Sequence, residues 1–284
     1  MAISSNGRPR AGVSKRSPVT IEHHSRHAVR TIPYGLLPSQ VGDLYLPQTS
    51  LPPVVCLLHG GFWRMPYRRD ELDAIAQDLA VRGFAVWNLE YRRLGEPGGG
   101  WPGTFEDVAA GIDHLAILVD EGADLDLHRV IVAGHSAGGH LALWAATGGS
   151  SHGIHGPSRV RPIAAAGLAA VADLASGFAL GAGNGAVAGF LGGSPDDFPE
   201  RYVAASPMAR LPLGVRQLIL HGTLDAALPI EIARGYVAAA RASGDRIDYV
   251  ELADAGHMDF LDPLSQAHAE FCAWLEKKWG QVHS

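Results

Sequence analysis

Arg129-Val130-Ile131-Val132-Ala133-Gly134-His135-Ser136-Ala137-Gly138-Gly139-His140-Leu141 is the stretch on which the reading of this chain turns. A short apolar, β-branched run ends in Gly-x-Ser-x-Gly and passes directly into a helical pattern over 136–147. A serine on so sharp a strand-to-helix turn is strained, and flanking glycines let the chain double back without Cβ clashes. Its hydroxyl then stands above the sheet, and the helix N-terminus faces any negative charge that develops there. The letters alone are a weak signal, because Gly149-Ser150-Ser151-His152-Gly153 fits them too. That second match follows a helix and has no strand before it, so it reads as linker. Ser136 is the expected nucleophile.

Outward from this turn, apolar β-rich runs alternate with helical patterns, which implies an α/β fold with a largely parallel sheet. Eight strands are expected at 27–34, 41–46, 53–58, 84–90, 129–134, 163–171, 215–221 and 246–252. Helices are expected at 69–82, 104–120, 136–147, 229–243 and 264–279, the first placing Leu72, Ile75, Ala76 and Leu79 on one face. Residues 1–26 read as a disordered tail and 27–284 as a single domain. Residues 172–213 interrupt the alternation with Gly, Ala, Pro and weak helical pieces near 184–191 and 197–205. An insertion at the carboxyl ends of the strands is a candidate lid.

A serine needs a base, and the base needs an orienting acid, in the chain order Ser, Asp or Glu, His. Leu218-Ile219-Leu220-His221-Gly222-Thr223-Leu224-Asp225 runs from a buried strand into a polar turn, which puts Asp225 at a strand end. His257 follows the next strand in Asp254-Ala255-Gly256-His257-Met258-Asp259-Phe260. Asp254 and Asp259 are nearer in sequence, but neither ends a strand. The oxyanion donors are expected to be the N–H groups of Ala137 and of Gly61 or Phe62, in the glycine pair after the strand 53–58.

These motifs in this order resemble the α/β-hydrolase superfamily over roughly residues 27–280. His59-Gly60-Gly61-Phe62-Trp63, Trp101-Pro102-Gly103, Ala205-Ser206-Pro207 and Gly256-His257-Met258-Asp259-Phe260 resemble its kynurenine formamidase and feruloyl/acetyl-esterase-like branch. The resemblance implies a cofactor-free enzyme cleaving small esters or formamides. Formamidases of this branch usually carry Tyr where Phe62 stands. Carboxylic ester hydrolysis is the first expectation and arylformamide hydrolysis the second. A non-catalytic binding protein on the same scaffold is the third, disfavoured because serine, acid, base and glycine pair are all retained.

Trp63, Trp101, Phe190 and Met258 are candidate pocket residues, although core packing accounts for each taken singly. Lys plus Arg number 23 against 29 Asp plus Glu, and six of the basic residues fall in the first 30 positions. The remaining 254 residues carry a balance of −11, which disfavours a nucleic-acid partner. Two cysteines, Cys56 and Cys272, are too few for a disulfide framework or a thiolate metal site. His23, His24, His27, His152 and His155 lack partners at metal-ligand spacing, and no His-Glu-x-x-His occurs, so no metal is expected. No apolar run is long enough to span a membrane, and no apolar signal segment opens the chain. A cytoplasmic enzyme acting on a small molecule is the expectation.

Overall fold

Alternate side chains of a strand point to opposite faces, and here both faces are apolar, so the sheet must be covered on both sides. The computed structural model describes Met1, residues 29–148 and residues 158–280. Its eight strands are β1 (Val29–Pro33), β2 (Val41–Tyr45), β3 (Pro53–Leu58), β4 (Ala85–Leu89), β5 (Asp126–His135), β6 (Ala164–Leu168), β7 (Arg216–Gly222) and β8 (Ile247–Leu252). They form one sheet in the order β1-β2-β4-β3-β5-β6-β7-β8. β1 and β2 are antiparallel to their neighbours, and every pairing from β4 through β8 is parallel.

Val55, Leu57, Ile131, Ala133, Leu218 and Leu220 face α1 (Asp73–Val81) and α8 (Gln266–Trp279) on one side. Val54, Cys56, Leu58, Val130, Val132 and Ile219 face α2 (Gly103–Asp120), α3 (Ala137–Ala145) and α7 (Ile230–Ala242) on the other. The chain therefore has the α/β-hydrolase architecture expected from its motifs. Residues 2–26 of the proposed tail, the tail histidines, and the second Gly-x-Ser-x-Gly with His152 and His155 lie outside the described residues.

Two departures concern local structure. β6 stops at Leu168 instead of running to 171, because Ala169 takes φ 48° and cannot continue a strand. The insertion contains α4 (Leu174–Ala179) besides the expected α5 (Ala186–Leu191) and α6 (Pro199–Ala205). The Asp173 side chain starts α4 by accepting from the Ala175 N–H at 3.1 Å. The insertion is also knitted inward. Leu174, Val187, Phe190, Leu191 and Ala205 are buried in the same core as α2 and α3. His140 and Trp144 on α3 bond the Ala205 and Ala204 carbonyls at 3.0 and 3.1 Å.

Candidate active site

β5 ends beside β3, with Gly134 in register with Leu58, and the chain turns into α3 through Ser136. Ser136 adopts φ 54° and ψ −115°, a region that L-residues avoid at a cost of roughly 1–3 kcal/mol. Two hydrogen bonds hold it there: its N–H donates to Leu168 O at 2.8 Å, and its carbonyl accepts from His140 N–H at 3.1 Å. The motif's glycines answer to crowding. A Cβ on Gly134 would overlap the Gly138 carbonyl, and one on Gly138 would overlap the carbonyls of Leu58 and His59.

β7 and β8 deliver the other two residues. Asp225 follows β7, and its Oδ2 lies 2.7 Å from His257 Nδ1, while its Oδ1 accepts the N–H groups of Ala227 and Leu228 at 2.9 and 2.8 Å. Burial alone would raise the Asp225 carboxyl. The hydrogen bond to His257, that ring's charge and the Leu228 N–H outweigh burial and leave it below the usual carboxylate range. Asp254 is exposed at φ 62°, and Asp259 turns its Oδ2 to the Gly256 N–H at 2.6 Å. Neither occupies the Asp225 position. His135, the residue before the serine, reaches the His257 carbonyl with Nε2 at 2.9 Å, with the two rings 4.7 Å apart. Ser136 is thus one residue from the anchor of the His257 loop.

The glycine pair turns sharply after β3. Gly61, Phe62 and Trp63 have φ of 88°, 55° and 55°, three successive left-handed residues, two of them carrying Cβ. The turn is held from below. Glu71 Oε1 accepts the Gly60 N–H at 2.6 Å, and His59 Nε2 meets the buried Glu90 Oε1 at 2.8 Å. Tyr91 stacks on His59 at 4.2 Å and donates its hydroxyl to the His59 carbonyl at 2.7 Å. Burial pushes the Glu71 carboxyl up, against His59 and the Gly60 N–H, which favour its charged form. An ideal Cβ on Gly60 would come within 3.0 Å of His135 Nδ1, so this loop and the serine turn are in contact.

The pocket expectations need correction at two of four positions. Trp63 and Phe190 are each 1% exposed and stacked on one another at 4.5 Å, so their faces are covered by protein. Phe105 and His140 close the same aromatic cluster. Trp101 is half-buried against Phe105, and Met258 is 62% exposed beside His257. Phe62, between buried and exposed, packs against Gly183 of the insertion.

His140 went unremarked in the motif, yet it fastens three elements. Its Nδ1 accepts the Trp63 indole N–H at 3.2 Å and its Nε2–H donates to Ala205 O. That pattern requires a neutral ring. Burial pushes His140 down to about 4, and burial with the neighbouring His257 pushes His135 down to about 3. Both would bind a proton near pH 6.5 once unfolded. Their contribution to stability is therefore complete above about pH 6.5 and declines as pH falls below it, by about 1.4 kcal/mol per unit for each ring. Urea unfolding is expected to show a fold roughly 3–4 kcal/mol less stable at pH 5 than at pH 7 from these two rings. His140→Gln should remove about half of that slope, and equal stabilities at the two pH values would contradict the neutral-ring assignment.

Comparison with known proteins bears on this geometry. Residues 42–237 match the family model described as BD-FAE. Esterase LipC of Mycobacterium tuberculosis is 30% identical over 293 aligned residues, covering 89% of this chain and 66% of LipC. A probable isoprenylcysteine alpha-carbonyl methylesterase, ICMEL1 of Arabidopsis thaliana, is 34% identical over 121 residues, 42% of this chain and 24% of that protein. The chain thus spans just under two thirds of the one relative and about a quarter of the other. Among solved structures, a truncated carbohydrate esterase from gut microbiota superposes with a TM-score of 0.76 at 18% identity, covering 90% of this chain and 98% of that one. At that identity the likeness speaks for the fold. Among the described residues, no helix is long and apolar enough to cross a membrane.

Proposed function

The chain belongs to the BD-FAE family of the α/β-hydrolase superfamily, and from that premise we propose that it hydrolyses small carboxylic esters through Ser136, His257 and Asp225. The observation that carries the reading is the 2.7 Å bond from Asp225 to His257 Nδ1, made at the β7 and β8 ends beside the strained serine turn. It leaves Nε2 as the nitrogen able to take a proton.

In this reading His257 Nε2 accepts the Ser136 hydroxyl proton as Oγ attacks the acyl carbon. The N–H groups of Ala137 and of Gly61 or Phe62 receive the oxyanion, and Asp225 stabilises the imidazolium. His257 then protonates the departing alcohol. Water repeats the sequence on the acyl-enzyme and releases the acid. The steps call for no cofactor.

The decisive experiment is fluorophosphonate labelling combined with a panel of p-nitrophenyl esters of graded chain length, N-formylkynurenine included. Adduct formation at Ser136 is expected, and its absence would favour a binding protein. The insertion's Val187, Phe190 and Leu191 are buried in the core, which leaves little apolar wall for a long chain. A further CH₂ contributes about 0.8 kcal/mol only where wall covers it. kcat/KM is therefore expected to peak at acetyl to butyryl esters. Preference for octanoyl esters would refute the short pocket, and dominance of the formamide would move the reading to arylformamidase.

Glu71 gives a separate check. Its carboxylate holds the peptide ahead of Gly61, so Glu71→Ala should loosen the oxyanion donors without touching the nucleophile. Full loss of one such donor costs about 10²–10³ in kcat, and a loosened one should cost about tenfold with KM little changed. Glu71→Gln retains an acceptor and should recover most of the rate. Equal rates for both variants would show that the bond does not position the loop.

A further inference from the structure

Among the described residues, one histidine-to-carboxylate contact lies outside the serine site and its loops' supports, His268 to Asp78, and it has a thiol beside it. His268, Cys272 and Glu276 recur every fourth residue on α8 and so share one helical face. Opposite them, α1 presents Asp78, and Arg82 caps its C-terminal end. His268 Nε2 lies 2.6 Å from Asp78 Oδ2 and 3.2 Å from Cys272 Sγ, and Sγ lies 3.7 Å from the same carboxylate oxygen. The group is the one set of three metal-capable side chains converging in this way among the described residues. His268 and Cys272 are buried, at 1% and 2% exposure, and Asp78 is partly so.

We propose that Asp78, His268 and Cys272 form a site for a thiophilic divalent cation of the zinc class, pinning α8 to α1. One sulfur, one imidazole nitrogen and one carboxylate oxygen are a donor set that zinc and cobalt accept and that magnesium and calcium do not. Bonds of about 2.0–2.3 Å at tetrahedral angles put ligand atoms about 3.3–3.7 Å apart. The two separations involving sulfur are already close to that range, and the His268–Asp78 pair opens by a fraction of an ångström. Binding exchanges one cation for another. Arg82 Nε bonds Asp78 Oδ2 at 2.6 Å, and Nη1 bonds Glu276 Oε1 at 2.7 Å, so the guanidinium sits between two carboxylates at the solvent side of the group. The metal takes the Asp78 oxygen from Arg82, and Glu276 or water fills the fourth position.

The protons balance. Burial pushes the Cys272 thiol up to about 12, so without a cation it carries its hydrogen, and that proton is released to solvent as the sulfur–metal bond forms. His268 ligates as the neutral imidazole through its Nε2 lone pair, with its hydrogen on Nδ1 and any further proton released to solvent. The cysteine count of the sequence argued against a thiolate site, but a mixed donor set needs only one.

The test is titration of the full-length, chelator-treated protein with Co²⁺, then displacement by Zn²⁺. The expected result is a thiolate-to-cobalt charge-transfer band in the near ultraviolet, saturating at one metal per chain and lost when Zn²⁺ is added. A rise in Tm with Zn²⁺, unaffected by Mg²⁺ or Ca²⁺, is expected alongside it. Cys272→Ser should abolish the band, with circular dichroism reporting whether that variant is folded. Arg82→Gln keeps every proposed ligand and removes the competing cation, so it should bind Zn²⁺ at least tenfold more tightly. Cobalt binding without a thiolate band, a band that persists in folded Cys272→Ser, or unchanged or weaker affinity in Arg82→Gln would each overturn the proposal. Histidines elsewhere in the chain do not mimic the thiolate signature, and Cys56 is fully buried in the sheet.

Discussion

Ser136→Ala is expected to lower kcat on the ester substrates by about 10⁶, leaving a residual rate of roughly 10³–10⁴ over the reaction in water. The residual belongs to binding and to the oxyanion N–H groups, which the substitution leaves in place. The fold should persist, because alanine meets the same backbone strain as serine at φ 54° and the two main-chain bonds at this residue remain. His257→Ala should fall by a similar factor. Nucleophile and base act as one unit, so the double variant should be hardly slower than either single one. Burst kinetics and turnover numbers, with thermal unfolding as the control, test this directly. Turnover near the unaltered level in Ser136→Ala would end the serine mechanism.

Asp225→Asn is expected to lower kcat by up to about 10⁴. The Asn oxygen can still accept from Ala227 and Leu228, so the turn should hold. What remains to face His257 Nδ1 is an amide N–H₂, a donor where an acceptor stood. The ring is then forced to carry its hydrogen on Nε2, and in that tautomer it cannot take the Ser136 proton. Asp254→Asn should change little, since Asp254 is exposed, and Asp259→Asn should disturb only the Gly256 turn. A crippled Asp254→Asn beside a mild Asp225→Asn would reverse the assignment of the acid.

Much of the scaffold was legible because the signals are local. All eight strands were expected within a few residues of where they lie, since short β-branched runs bounded by turn residues have few other conformations available. The misses have local explanations that pattern reading does not weigh. α4 is six residues long and owes its start to Asp173, a cap signal inside a Gly- and Ala-rich stretch that carries little periodicity. β6 is cut short by the backbone of Ala169, which turns to φ 48° although its N–H still bonds Leu220 O in the ladder. Of the site, the serine turn and the glycine pair could be read directly, because crowding there admits only glycine. Glu71, His135 and His140 could not. Their importance lies in a carbonyl or N–H belonging to a distant segment, and nothing in their sequence neighbourhood marks it.

Residue order alone specifies the α/β alternation, the parallel core, the serine turn and the short set of acids and bases from which a triad could be drawn. Those follow from periodicity and from steric limits on the backbone, which act over a few residues. The sequence singled out Asp225 for His257 by its place at a strand end, but the contact itself, the division of the aromatic residues between core and surface, and the convergence of a thiol, an imidazole and a carboxylate between α1 and α8 came from packing. The residues concerned are far apart in the chain: 32 separate Asp225 from His257, and 190 separate Asp78 from His268. Over such separations the contacts are set by how helices pack on a twisted sheet, where every burial choice depends on all its neighbours at once.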